Sequence, residues 1–231
     1  MSAPPPRDGP SSQAGAALIP PLLVLTDGQN CGGRPLTEVV AAAIDGGARA
    51  VLLREKHLAG PERHALAVEL SGLLEAVGGL LLVASDPTIP AGGVHLAAAD
   101  PFPGGPLPGR LSSRGAGAGG VSGGEGGGGR LVGRSCHSRT DVARAAGEGC
   151  DYATLSPIHL TESKPGYGPA LGTAALTGLP LPTWALGGVE PANAAACLGA
   201  GASGVAVMGA VMRAPDPGKM VALLLEALEV A

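Results

Sequence analysis

Aromatic side chains are nearly missing from this chain: 231 residues include one Trp, two Tyr and one Phe. A surface that binds single-stranded nucleic acid by stacking needs more rings than that. A net charge of −4 also removes the electrostatic route to nucleic acid or an anionic membrane. Lysine is equally scarce, with only Lys56, Lys164 and Lys219. The cysteines Cys31, Cys136, Cys150 and Cys197 are far apart, with no CxxC pair and no His at zinc spacing, so they read as reduced thiols. No apolar run approaches the ~18 residues of a membrane span. Residues Met1–Gly15 are rich in Pro and Ser and lack the apolar segment of a signal peptide. The expectation is a soluble cytoplasmic protein with no nucleic-acid or membrane partner. Its core must be built from Leu, Val and Ala.

What the chain does have is alternation. Residues 1–16 read as a disordered tail, and residues 17–231 as a single domain. Strands are expected at Leu18–Thr26, Ala50–Arg54, Leu80–Ser85, Gly93–Ala97, Leu131–Cys136, Tyr152–Ser156, Thr183–Leu186 and Gly204–Met208. Helices are expected at Leu36–Gly47, Pro61–Val77, Thr140–Gly149, Ala170–Leu179, Pro191–Gly199 and Asp216–Leu228. Leu66, Leu70, Leu73, Leu74 and Val77 mark the buried face of the second helix. The third and fourth strands are too close for a full crossover helix. Residues 104–130 are a Gly-rich loop, with ten glycines between Gly115 and Gly129. Eight strands with about six helices predict an α/β fold, a (β/α)8 TIM barrel with a reduced helix after strand 3 and this loop before strand 5. An open doubly wound sheet is the other candidate, but Gly28 and Gly32-Gly33 make a poor dinucleotide-binding turn.

In a barrel, chemistry sits at the C-terminal strand ends. The second strand ends in Arg54-Glu55-Lys56, two cations suited to clamping a diphosphate. Ser85-Asp86 ends the third strand and Asp100 follows the fourth. Two carboxylates on adjacent strand ends could share a Mg²⁺ ion with phosphate oxygens and water. Ser135 ends the fifth strand with a hydroxyl for a phosphate oxygen, and His137 follows as an acid/base or a helix-capping residue. After the sixth strand, Thr161, Ser163 and Lys164 lie in a loop with Gly166 and Gly168, suited to a lid, and His159 is a second acid/base candidate. Gly187-Gly188 and Met208-Gly209 end the last two strands, where backbone N–H groups of barrels often hold a phosphate. The partners implied are small phosphorylated molecules; the sequence is compatible with homo-oligomerisation and does not fix it.

Leu53-Arg54-Glu55-Lys56, Gly93-Val94-His95-Leu96, Gly133-x-Ser135-x-His137, Asp151-Tyr152, Ser156-Pro157-Ile158 with Thr161-x-Ser163-Lys164, Ala185-Leu186-Gly187-Gly188 and Gly204–Met208 occur in one order. That series resembles the thiamine phosphate synthase/TenI family of barrels. The resemblance implies a transferase that couples hydroxymethylpyrimidine diphosphate to thiazole phosphate, or its carboxylate, in thiamine biosynthesis. It implies that Arg54, Lys56, Ser135 and Lys164 hold the diphosphate and that Asp86 and Asp100 hold Mg²⁺. Ser85, Thr161, Ser163, Gly188, Met208 and Gly209 would complete substrate binding. The chain departs from the family at Leu52, where the family has Gln, at Ser85, where it has Asn, and at Ala97–Ala99, where a Gln is lost. A thiazole tautomerase using His159 or His137, and a non-catalytic binder of thiamine precursors, remain as alternatives.

Overall fold

Eight parallel strands close on themselves in sequence order, with β1 pairing back to β8 through Leu22 and Val205. The computed structural model describes residues 19–102, 130–160 and 169–230. The expected tail 1–16 and nearly all of the Gly-rich segment lie outside them. The strands are β1 (Leu22–Leu25), β2 (Ala50–Leu53), β3 (Leu80–Ala84), β4 (Gly93–Leu96), β5 (Leu131–Cys136), β6 (Tyr152–Leu155), β7 (Thr183–Leu186) and β8 (Gly204–Val207). The helices are α1 (Leu36–Asp45), α2 (Gly60–Glu75), α3 (Arg139–Glu148), α4 (Pro191–Gly199), α5 (Gly209–Met212) and α6 (Pro217–Glu229). No helix among the described residues is long and apolar enough to cross a membrane.

The strand alternation sorts side chains into two layers. Leu23, Leu25, Leu52, Leu82, Tyr152 and Trp184 fill the barrel, and Val24, Val51, Leu53, Val83 and Val205 meet the helices. The two interior rings meet edge to face, with centroids 5.8 Å apart. Each is paired in register with a glycine on the next strand, Tyr152 with Gly133 and Trp184 with Gly204. A Cβ at either glycine would run into the facing ring. These two glycines therefore make room for the large interior side chains.

Several boundaries differ from expectation for local reasons. β1 starts at Leu22 because Pro20 and Pro21 have no N–H for a ladder. The segment expected as a helix over Ala170–Leu179 is a single 3₁₀ turn, Thr173–Leu176, bracketed by the positive-φ residues Gly172 and Gly178. α5 was not expected; its four residues are too few to show a period. α2 buries Leu70 and Leu74, but Val77 lies past its end and is 37% exposed, while Arg63 and Ala67 occupy the buried stripe.

No helix joins β3 to β4. Three arginines satisfy backbone carbonyls in this connection, at neighbouring strand ends and after β4. Arg63 donates to the carbonyls of Leu53 and Ala84. Arg130 donates to those of Pro87 and Ile89, both at 2.6 Å. Arg134, 2% exposed, donates to those of Ala97 and Asp100 at 3.1 and 2.8 Å and pairs with Glu148 at 2.9 Å.

Candidate active site

The C-terminal strand ends surround a cavity of about 610 Å³, the size of a pocket for a small organic ligand. Its floor is apolar, formed by Leu25, Leu52, Ala84, Leu186 and Ala206. On one side stand Arg54 and Lys56. The Arg54 backbone is fixed by its N–H donating to Thr26 Oγ1 at 2.9 Å, and its guanidinium reaches across to Met208 Sδ at 2.6 Å. Glu55 turns away, is buried, and accepts the Gly28 N–H at 3.1 Å. The two cations therefore face the cavity without an intervening carboxylate.

Ser85, Asp86 and Asp100 lie beside the cavity rather than along its lining. Ser85 donates its hydroxyl to Asp100 Oδ2 at 2.5 Å, and the Ala97 N–H reaches the same oxygen at 2.8 Å. Burial alone would raise the Asp100 carboxyl, but these donors and the charges of Lys56 and Arg134 hold it below the usual carboxylate range. The Thr88 hydroxyl and N–H, both on Oδ1, hold Asp86 low as well, helped by Arg63 and Arg130. Asp86 Oδ2 and Asp100 Oδ1 take no hydrogen bond from the described residues. No cluster of three or more His, Cys, Asp or Glu able to hold a metal occurs among those residues. Mg²⁺ needs no such cage, because it keeps water and takes one or two carboxylates with substrate phosphate oxygens. Two ionised carboxylates, each with one oxygen to spare, fit that requirement.

A buried polar chain runs from the barrel interior to the cavity, and its inner members were assigned no role from the sequence. His95, on β4, meets Tyr152 Oη through Nδ1 at 2.9 Å and Ser135 Oγ through Nε2 at 3.0 Å. Thr154 Oγ1 is 3.3 Å from Nε2. Burial, and then the nearby charges of Lys56, Arg54 and Arg134, push the His95 pKa down to about 3, so the ring is neutral at physiological pH. His95, Tyr152 and Thr154 sit at inward positions of strands. In sequence, Tyr and Thr there read as ordinary strand formers.

The two histidines expected as acid/base candidates divide. His137 lines the cavity, and its Nδ1–H donates to the Ser156 carbonyl at 3.0 Å. It does not cap α3; Ser138 does, accepting the Asp141 N–H at 3.1 Å. His159 turns toward α4, where its Nε2 lies 3.8 Å from the buried Cys197 Sγ, and it is not part of the lining. Of the two tautomerase candidates, only His137 has access to the cavity.

A further stretch of the wall is Gly187, Gly188, Met208, Gly209 and Ala210. Gly187 and Gly188 have φ of 92° and 62°, and an added Cβ at Gly187 would lie 2.9 Å from Pro157 Cα. Glycine is required there by both conformation and space. Arg213 also lines this wall, and its guanidinium covers the place where a Cβ on Gly209 would stand. No sequence pattern pointed to Arg213, which lies after the unexpected α5 and not at a strand end. Thr161, Ser163 and Lys164 lie outside the described residues.

The thiamine monophosphate synthase family profile matches residues 22–102 and 126–211. A putative thiamine-phosphate synthase of Geobacter sulfurreducens is 35% identical over 215 residues, covering 90% of this chain and 93% of that protein. The thiamine-phosphate synthase of Methanoculleus marisnigri is 37% identical over 203 residues, covering 84% and 89%. Among solved structures, the thiamine phosphate pyrophosphorylase of Pyrococcus furiosus superposes with a TM-score of 0.73 at 24% identity, over 94% of this chain and 98% of that one, a likeness of fold. The barrel, the order of its strand-end residues and these relatives agree: this chain belongs to the thiamine monophosphate synthase family.

Proposed function

We propose that the protein is a thiamine phosphate synthase. It would join hydroxymethylpyrimidine diphosphate to thiazole phosphate, or to its carboxylate, giving thiamine phosphate and diphosphate. The observation that carries this reading is two groups of anion-binding residues lining one cavity: Arg54 and Lys56, and the Gly187-Gly188 and Gly209 backbone with Arg213. A diphosphate suits the first and a monophosphate the second. The pyrimidine methylene C–O bond breaks with its electron pair leaving on diphosphate, and the thiazole nitrogen lone pair forms the new C–N bond. The protein's part is to neutralise the leaving group and to hold the acceptor in line. Arg54 and Lys56 supply positive charge, Ser135 a hydroxyl donor, and the apolar floor a dry seat for the pyrimidine. Lys164 would add a further charge for the diphosphate, and Thr161 and Ser163 hydroxyls for the acceptor phosphate. Asp86 and Asp100 would hold Mg²⁺, which would share the diphosphate charge when bound.

Purified protein and the two substrates should give thiamine phosphate only with Mg²⁺ present, and Lys164→Ala should slow the reaction by about a hundredfold or more. A folded protein that forms no product at any Mg²⁺ concentration would remove the reading. Thiazole isomerisation that persists in EDTA and is lost in His137→Ala would replace it with a tautomerase.

A further inference from the structure

We propose that His95 is a positioning residue: held as the Nε2–H tautomer by the Tyr152 hydroxyl, it donates to Ser135 Oγ and so commits the Ser135 proton to an anion in the cavity. This rests on the assignment of Ser135 to the diphosphate.

The argument is one of counting donors and acceptors in a buried chain. Tyr152 is 1% exposed, and among the described residues the only hydrogen-bond partner of its Oη is His95 Nδ1, at 2.9 Å. A buried phenol proton needs an acceptor, so Tyr152 donates and Nδ1 accepts. The neutral ring then carries its proton on Nε2. The nearer oxygen to Nε2 is Ser135 Oγ at 3.0 Å, against 3.3 Å for Thr154 Oγ1. Ser135 receives that proton, and its own hydroxyl proton is free to point into the cavity its side chain lines.

The opposite tautomer fares worse. The Tyr152 proton would have no acceptor among the described residues. Ser135 and Thr154 would compete for one Nε2 lone pair, and the nearer, Ser135, would spend its proton on it. A hydroxyl donating inward would present a phosphate oxygen with lone pairs alone, which repel it. In the favoured arrangement the Thr154 proton lacks an acceptor among the described residues, and the Ser135 proton is left for a ligand in the cavity. Tyr152, more than 50 residues from His95 in sequence, thereby fixes the sense of a hydrogen bond at the substrate.

The tautomer is read by ¹⁵N NMR of histidine-labelled protein, and affinity by calorimetry with inorganic diphosphate and Mg²⁺. The variants are Tyr152→Phe, which keeps the ring, and Ser135→Ala. The wild type should show the Nε2–H pattern for His95. Tyr152→Phe should lose that pattern and bind diphosphate about tenfold more weakly, as expected for losing a hydrogen bond to a charged group. An Nδ1–H pattern in the wild type overturns the proposal whatever the affinities. So does an affinity that Ser135→Ala weakens and Tyr152→Phe leaves unchanged. An affinity insensitive to Ser135→Ala, with the Nε2–H pattern present, overturns the assignment of Ser135 to the diphosphate on which the proposal rests.

Discussion

His95 should make the protein sensitive to mild acid in a way one substitution removes. Its folded pKa is about 3 and its unfolded value is near ~6.5. Above the unfolded value the ring is neutral in both states and costs nothing. As pH falls below it, the unfolded chain takes up a proton that the folded barrel refuses, so the folded state loses stability progressively down to the folded pKa. Between pH 6.5 and pH 5, about 1.5 units at ~1.36 kcal/mol each, that loss is about 2 kcal/mol. The physical source is desolvation first, then the positive charges of Lys56, Arg54 and Arg134, none of which the buried ring can avoid.

Urea denaturation at pH 7.5 and pH 5.0 measures it, with His95→Gln as the reference. The variant will be less stable at pH 7.5, since it disturbs the bonds to Tyr152 and Ser135. The informative quantity is the difference in slope: wild type should lose about 2 kcal/mol more than the variant over this interval. The depressed carboxyls Asp86, Asp100 and Asp141 add their own acid sensitivity only as pH falls toward and through their lowered values, below this window. They also titrate alike in both proteins. Parallel pH dependences would refute the assignment of a buried neutral histidine.

Two further expectations test packing and the second anion wall. Gly133→Ala places a methyl group against the Tyr152 ring and should lower the denaturation midpoint by an amount equivalent to about 1–3 kcal/mol; an unchanged midpoint would mean that the ring does not sit against β5 as described. Arg213→Ala should raise KM for the phosphorylated thiazole by about fivefold to tenfold while changing kcat little, since it removes binding rather than leaving-group stabilisation; an unchanged KM excludes the guanidinium from the acceptor site.

The barrel was legible because its strands are short apolar runs separated by helical periods, and buried parallel strands show that pattern directly. The strand-end cations were legible for a related reason: a charge that closes an apolar run must sit at the end of a strand. Arg54, Lys56 and Ser135 were found this way and line the cavity. Residues whose roles depend on a partner across the barrel left no such trace. His95 meets Tyr152 57 residues away and Ser135 40 residues away. Arg213 was hidden because its position depends on α5, one turn long, whose glycine start read only as a strand-end phosphate contact.

The missing helix after β3 shows why a departure from a pattern need not mean a damaged fold. Where no crossover helix forms, the connecting backbone is irregular, and its carbonyls lack both helical and ladder donors. Arg63 from α2 and Arg130 from just before β5 supply donors around this connection, and Arg134 from β5 supplies them after β4. Each guanidinium has five N–H groups in a rigid fork, enough to serve two carbonyls at once. Buried cations carry a desolvation cost, seen in the lowered pKa values of Arg63 and Arg130. Nearby carboxylates offset it: Asp86 for the first two, and Glu148 for Arg134. Asp86 thus lies between the structural arginines and the cavity edge. Replacing it with Asn would remove a counter-charge from two buried guanidiniums as well as a carboxylate from the site where Mg²⁺ would bind. A fall in activity of that variant therefore identifies a metal ligand only if its denaturation midpoint is unchanged, and the charge arrangement predicts that it will not be.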